Sequence, residues 1–329
     1  MSTTPNTVLP ARLRFPGLSS TAYEHPADRA ALEALRATPG LDRLFRWLSD
    51  IGFERYARLF FTADSLRISP KQCPRLYNDL REACAILDVR EPEFYLIQYP
   101  YPVSYALGMQ RHIVVISSSL VDLLSDTERL FIIGREIGHI KSDHMLYRTM
   151  ALVLANLLAA NSPYLNIPGE LLVRTLLYTL FAWFRKSELS ADRAGLLVVQ
   201  DPEICINAIL KRVAGTQKLT DDLDSAEFVR QADLFDDMED DLLGFYYKFK
   251  MLRFNPEPFP AVRAREVLDW SRSREYQKLL RGEYPHARPK AGERVCTQCG
   301  HSVTNVSFRF CPECGTSLPP PLPEYPEPI

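Results

Sequence analysis

The stretch from Ser125 to Ile140 constrains this chain more than any other. Ser125-Asp126-Thr127-Glu128 has the form of a capping box, in which a serine and a glutamate three residues on satisfy each other's exposed backbone donors. A helix therefore starts near Asp126. Leu130, Ile133, Ile137 and Ile140 recur at helical spacing and give it an apolar face. Positions 135 and 139 lie one turn apart on the same side. They hold Arg135 and His139, with Glu136 beside them. A bare E-x-x-H arises by accident in any helix-rich chain, so its meaning rests on what surrounds it.

With 329 residues there is room for one large domain or two small ones, and a hydrophobic share of 46% supplies a sizeable core. The net charge of −2 excludes a global pull toward nucleic acid or anionic lipid. The opening MSTTPNTVLPARLRF has no apolar signal core. Four of the seven cysteines form two C-x-x-C pairs, and Cys73, Cys84 and Cys205 are scattered. That pattern reads as metal binding in a reducing compartment rather than as a disulfide framework, which places the protein in the cytoplasm.

Residues 1–25 are rich in Ser, Thr and Pro and read as a loose arm. Asp28 to Leu35, Leu41 to Phe61 and Pro74 to Leu87 read as amphipathic packing helices, the first two separated by Pro39-Gly40. The period then changes. Phe94 to Ile97, Val103 to Met109 and His112 to Ile116 are β-rich runs punctuated by Pro100, Pro102 and Gly108, which predicts a small sheet. An edge strand at 103–109 offers its backbone to an extended peptide or protein segment.

Met145 to Phe184 is apolar with few charges, but Asn161, Pro163 and Pro168 interrupt it. Neither half reaches the roughly 18 to 20 apolar residues that a membrane span requires. Two buried helices are the expectation, with a hairpin resting on a membrane surface through 145–184 as the alternative. Next comes RKSELSADRAG, in which Glu188 and Asp192 share one face of a helix. A carboxylate here can ligate a metal, and its neighbour can support a ligating histidine. A solvated charged face is the competing reading. Residues 218 to 241 are acidic and read as a solvated helix or loop, and Phe259 to Glu266 enters a helix that runs past Trp270.

Together these pieces resemble the HtpX-like gluzincin metallopeptidases, the group that also includes the CAAX prenyl protease. Four stretches carry the resemblance in the family's order. They are the sheet segment with His112 to Ile116, the helix Phe131 to His144, the run Glu188 to Gly195, and Pro258-Phe259-Pro260 with Arg263. The similarity spans about residues 20 to 285. It implies a zincin-like fold, with a small sheet before a helix whose H-E-x-x-H supplies two zinc ligands and a general base. Carried over, Glu136 matches the general base, His139 the second ligand and Glu188 the third ligand. Asp192 matches the carboxylate that partners it, and Arg263 the downstream arginine. In an active member, zinc polarises the peptide carbonyl and the glutamate deprotonates the water.

Three positions depart from the pattern. Arg135 stands where the first histidine ligand belongs. Glu257 stands where a histidine is expected before Pro258, and Ser104 replaces a common asparagine. Arginine has no lone pair for a metal and stays protonated. A unit charge about 4 Å from zinc would repel it by roughly 8 kcal/mol at an effective dielectric near 20. On a continuous helix His144 lies about half a turn away from position 135 and is no substitute. Arg135 therefore argues against catalytic zinc. A degenerate peptidase follows, in which the guanidinium takes the metal's place and pairs with Glu188, Glu136 or Glu257. The competing reading is an active zinc endopeptidase, with Arg135 swung aside and the metal held by His139, Glu188 and waters.

Cys296-Thr297-Gln298-Cys299-Gly300 and Cys311-Pro312-Glu313-Cys314-Gly315 are two metal knuckles. Their four thiolates complete a closed tetrahedral site, read as a structural zinc ribbon with Thr304 to Phe310 as strand material. Rubredoxin-like iron is the runner-up. Arg294, His301 and Arg309 are too few for a nucleic-acid surface, so the ribbon reads as a protein-docking element, and the Pro-rich LPPPLPEYPEP tail reads either as a ligand for an aromatic groove or as a disordered end. The expected class is α+β and mostly helical. The expected order is an arm (1–25), a metallopeptidase-type domain (26–290), a zinc ribbon (291–316) and a Pro-rich tail (317–329).

Overall fold

The computed structural model describes residues 12–38, 41, 52–108, 111–159, 167–237 and 257–287, with 294–295, 298, 302–303, 310 and 315–318 near the C-terminus. The chain divides into two compact units, Met1–Tyr284 and Pro285–Ile329. The first is α+β and mostly helical, with one small mixed sheet.

Helix α1 (Pro26–Arg36) begins after His25, whose ring accepts a hydrogen bond from Ala27 N–H. Residues 12–25 are not a loose arm. Phe15, Leu18 and Tyr23 are buried in the main core, and Phe15 N–H donates to the Ile86 carbonyl. Three apolar anchors among the Ser, Thr and Pro suffice to fasten the segment. Helix α2 (Phe53–Asp64) follows Gly52, whose φ of +65° favours glycine. Of the helix expected over Leu41 to Phe61, residues 42–51 lie outside the described residues, as does the break at Pro39-Gly40. Helix α3 spans Pro74–Leu87, as its periodicity predicts.

The sheet comprises β1 (Leu66–Arg67), β2 (Glu93–Ile97), β3 (Ser104–Leu107) and β4 (Ile113–Ser117), in the order β1-β2-β4-β3. Strand β4 is central, parallel to β2 and antiparallel to β3, and all five of its residues are buried. That burial on both faces suits its unbroken Ile-Val-Val-Ile run. Strand β3 is an edge strand. Ser117 N–H donates to the Val103 carbonyl, which continues the ladder past Ser104.

A short helix α4 (Ser118–Leu123) leads into α5 (Asp126–Lys141), which opens with both halves of the capping box formed. Every residue of α5 from Glu128 to Ile140 is buried, so the helix has no solvated face within that span. Helix α6 (Met145–Ala159) and the 33-residue α7 (Ile167–Val199) account for the long apolar region. Helix α7 runs on through Glu188 and Asp192, so the second apolar segment and the charged run are one helix. No helix among the described residues is long and apolar enough to cross a membrane. Helices α8 (Pro202–Ala214), α9 (Ser225–Asp237), α10 (Pro260–Ser271) and α11 (Arg274–Leu280) complete the unit. In the second unit, β5 (Arg294–Val295) pairs antiparallel with β6 (Ser302–Val303). Cys296, Cys299, Cys311, Cys314, residues 304–309 and residues 319–329 lie outside the described residues.

Helices α5 and α7 meet at glycines. A Cβ on Gly138 would stand 2.3 Å from Ala194 Cβ, one on Gly134 would stand 2.9 Å from Val198, and one on Gly195 would stand 2.6 Å from the Phe131 ring. The Ala194 contact is to a methyl fixed on a helix backbone, so it has little room to yield. Gly138→Ala should lower stability by about 1–3 kcal/mol through overpacking, even after the helix-propensity gain of about 1 kcal/mol. Urea titration checks this. Undiminished stability would mean slack between the helices.

Candidate functional site

A buried helix must settle its polar side chains among neighbouring elements, since an unpaired buried charge costs several kcal/mol. Helix α5 turns Arg135, Glu136 and His139 toward the middle of the fold, where they are 2%, 1% and 0% exposed. Helix α7 brings Glu188 and Asp192, α6 brings Arg148, and α10 brings Arg263, all buried.

Arg135 bridges the two α7 carboxylates. Its Nε donates to Asp192 Oδ1 at 2.6 Å, and its Nη2 donates to Glu188 Oε2. Arg263 donates to Asp192 from Nε at 2.8 Å and from Nη2 at 2.7 Å, a bidentate clamp. Arg148 Nη1 donates to Glu188 Oε1, and its guanidinium lies 4.1 Å from the centre of the Phe184 ring. Both oxygens of Glu188 are thereby taken by guanidinium groups. Burial works against the charge of Glu188, but Arg148 and Arg135 outweigh it and hold the carboxyl well below its usual range. Burial also works against the Arg135 cation, yet Asp192 and Glu188 raise its pKa further.

Glu136 is placed differently. Ser104 Oγ on β3 donates to its Oε1 at 2.8 Å, and its Oε2 is buried without a hydrogen-bond partner. Burial pushes this carboxyl above its usual pKa, with Arg148 and Arg135 opposing. The serine that replaces asparagine thus contacts the residue matched to the general base.

His139 sits in a chain of buried groups. Its Nε2 lies 3.3 Å from Glu188 Oε1, and its Nδ1 is 3.0 Å from His144 Nδ1. On the other side of His144, Nε2 lies 3.1 Å from Asp28 Oδ2. Asp28 also accepts from Trp183 Nε1 at 3.0 Å and from Ser190 Oγ at 2.6 Å. Burial and the Arg148 charge push His139 well below the usual histidine range, so its ring is neutral at pH 7. Either ring can be the donor between the two Nδ1 atoms. The outer nitrogens, His139 Nε2 toward Glu188 and His144 Nε2 toward Asp28, are both buried, and neither makes a hydrogen bond of good geometry.

Several expectations change here. Asp192 was expected to support a ligand, and instead it takes two guanidiniums. Of the three partners expected for Arg135, Glu188 bonds it, Glu136 goes to Ser104, and Glu257 lies 3.6 Å from Arg212 and 3.8 Å from Arg263. His144 is not half a turn around one helix. Helix α5 ends at Lys141, and Asp143 at φ +54° turns the chain so that His144 reaches His139. His112 precedes Ile113, at the opposite end of the β3 ladder from Ser104.

Sequence reasoning also missed Arg148, Arg212 and Asp28. Arg148 had a signal, being the lone charge in Met145–Ala159. Asp28 had none, because an acidic residue in a first helical turn is ordinary.

A catalytic zinc requires three protein donors with free lone pairs and an open position. Arg135 offers no lone pair, and Glu188 has both oxygens in guanidinium hydrogen bonds. Among the described residues no group of three or more His, Cys, Asp or Glu side chains is placed to hold a metal. The residues present do not fit that ion. A cavity of about 670 Å³ lies on the other face of β3 from Glu136, lined by Phe53, Phe60, Tyr99, Tyr105, Leu107 and Leu152 among others. Period-2 alternation puts Ser104 on one face of the strand and Tyr105 and Leu107 on the other.

The description "Peptidase family M48" matches residues 70–271. The chain is 33% identical over 271 residues to the plastoglobule-localized metallopeptidase 48, chloroplastic, of Arabidopsis thaliana, covering 82% of this chain and 78% of that one. It is 22% identical over 175 residues to the protease HtpX homolog 2 of Methanosarcina mazei, covering 46% of this chain and 60% of that one. It is 30% identical over 107 residues to the protease HtpX homolog of Thermodesulfovibrio yellowstonii, covering 31% and 38%. No solved structure matches the chain.

The acid response follows from Glu188. Its folded pKa is depressed, so its contribution is present above the unfolded value of about 4.3 and is lost as pH falls through the folded value. Glu188→Gln should make the loss of stability below about pH 4 shallower than in the parent. Urea midpoints between pH 3 and pH 7 check this, and an unchanged acid slope would contradict it.

Proposed function

Because the chain belongs to peptidase family M48, we propose that it is a degenerate peptidase, a protein that keeps the peptidase scaffold and binds peptide or protein without hydrolysing it. The observation that supports this reading is the seat of Arg135. In the position matched to the first zinc ligand, its guanidinium bonds Glu188, the residue matched to the third ligand, and Asp192 beside it. A cation there neutralises the carboxylates that zinc would otherwise neutralise. It donates hydrogen bonds to two different carboxylates, and all three side chains are buried. With no metal to polarise a carbonyl, Glu136 has no activated water to deprotonate.

Peptide binding without turnover rests on β3. Ser104 and Tyr105 of this edge strand are half-exposed, whereas Ala106 and Leu107 are buried. A partner strand would engage the N-terminal end of β3 and turn alternate side chains toward the aromatic cavity. Zinc in this reading is structural and belongs to Cys296, Cys299, Cys311 and Cys314, with the ribbon and the Pro-rich tail as docking elements for protein.

One observation favours the active alternative. His139 Nε2 has no hydrogen-bond partner, and its 3.3 Å separation from Glu188 Oε1 is close to the roughly 3.3–3.5 Å between two ligands of a tetrahedral zinc. Zinc analysis decides. The full chain should carry one zinc, a chain ending near residue 290 should carry none, and neither should cleave extended peptides that the full chain binds. One zinc remaining in the shortened chain would mean that the cleft holds metal and that the protein is a peptidase.

A further inference from the structure

Glu188 is approached from two sides by two different helices, and only one of those approaches replaces a ligand. Arg135 on α5 bonds Oε2, while Arg148 on α6 bonds Oε1, the oxygen that faces His139 Nε2 at 3.3 Å. Arg148 is 4% exposed. Its Nε is buried without a hydrogen-bond partner, so the side chain spends its position on Glu188 and the Phe184 ring and forgoes one donor. With Arg135 it holds the Glu188 carboxyl well below its usual range.

Glu136, Glu188 and Asp192 face Arg135, Arg148 and Arg263, all of them no more than 4% exposed. Arg263 is committed to Asp192 by two hydrogen bonds. That leaves Arg135 and Arg148, two unit charges, for the carboxylate and neutral histidine between which a dication would sit.

We infer that Arg135 and Arg148 act together as a two-part replacement for a divalent cation, and that beneath them His139 and Glu188 form a latent metal site. This inference rests on the degenerate reading of the site and goes beyond it. Arg135 removes a ligand, and Arg148 independently occupies the oxygen of Glu188 that a metal would share with His139. The ligand half is otherwise in order. His144, with Asp28 behind it, backs His139 at Nδ1, as a carboxylate or carbonyl backs the second nitrogen of a metal-bound histidine, and His139 Nε2 is left facing Glu188. Restoring the ligand alone is therefore insufficient, because the second guanidinium still holds Oε1 and still repels a cation.

The test uses the full chain and its zinc stoichiometry, measured after dialysis against a fixed free-zinc concentration. The variants are Arg135→His, Arg148→Met and the two combined. The parent sets the baseline from its other metal sites. Each single variant should stay at that baseline, and the double variant should hold one more zinc per chain, with an affinity at least about 10- to 100-fold above that of Arg135→His alone. Adding Glu188→Gln to the double variant should return it to baseline. A second pair, Arg135→His with Arg148→Gln, keeps an amide donor for Glu188 and should give the same gain, which guards against a packing defect in the methionine version. One full extra zinc in Arg135→His alone would overturn the role of Arg148 while leaving the degenerate reading intact. No extra zinc in either double variant, with both giving cooperative thermal unfolding, would overturn the latent site. Cleft zinc in the parent itself, seen as a loss of one zinc on Glu188→Gln, would overturn the degenerate reading on which both stand.

Discussion

The pairing of Arg135 with the two α7 carboxylates is the interaction on which the centre of this fold depends. Helix α5 is enclosed on all sides over thirteen consecutive residues, Glu128 to Ile140. An enclosed helix can carry ionised groups only if its neighbours neutralise them, because desolvation costs several kcal/mol per ion. Helix α7 supplies Glu188 and Asp192, α10 answers Asp192 with Arg263, and α6 answers Glu188 with Arg148. Four helices are thus tied at one point by charge, where apolar contact alone would leave their relative positions less specific. The apolar core gathers around this knot and does not pass through it.

Much of the frame was legible in the amino-acid order. The capping box at Ser125 to Glu128 starts α5 where its chemistry says it should, and Pro74 to Leu87 forms a helix over its expected bounds. These signals are local, involving one turn of backbone or one helical period, and local rules suffice to read them. What escaped is what depends on distant chain segments meeting. Phe15, Leu18 and Tyr23 looked like parts of a loose arm because three anchors among prolines and serines carry no period. Asp28 gave no hint that it would close the far end of a histidine chain. His144 was misjudged for a sharper reason. The geometry of a continuous helix was applied across a chain that leaves the helix after Lys141, and a single left-handed residue, Asp143, reversed the conclusion.

Family membership and site chemistry pull in different directions here. Membership of family M48 brings with it the arrangement of α5, the sheet and α7. Chemistry at individual positions then decides what that arrangement can do. A carboxylate that receives two guanidiniums is a poor electron-pair donor, whatever the histidine beside it can offer. On the proposed reading, the scaffold has kept its means of presenting chains and side chains, with β3 and the aromatic cavity on one face and the buried charges on the other. Recognition and hydrolysis are then separable, because they occupy opposite faces of one strand.

The glycine contacts between α5 and α7 bear on how such a protein arises. Gly134, Gly138 and Gly195 bring the two backbones close enough that neither helix can slide along the other without steric collision. Registry between position 135 and positions 188 and 192 is therefore set by backbone shape and not by a shared ligand. In a zinc finger the ion is the fold, and losing a ligand means losing the structure. Here backbone contact and charge pairing act on the same two helices: the glycines set how close α5 and α7 come, and Arg135 neutralises the carboxylates that this approach brings to it. On the proposed reading, a scaffold of this kind can exchange a metal ligand for an arginine and still keep the helix contact that brings the two positions together.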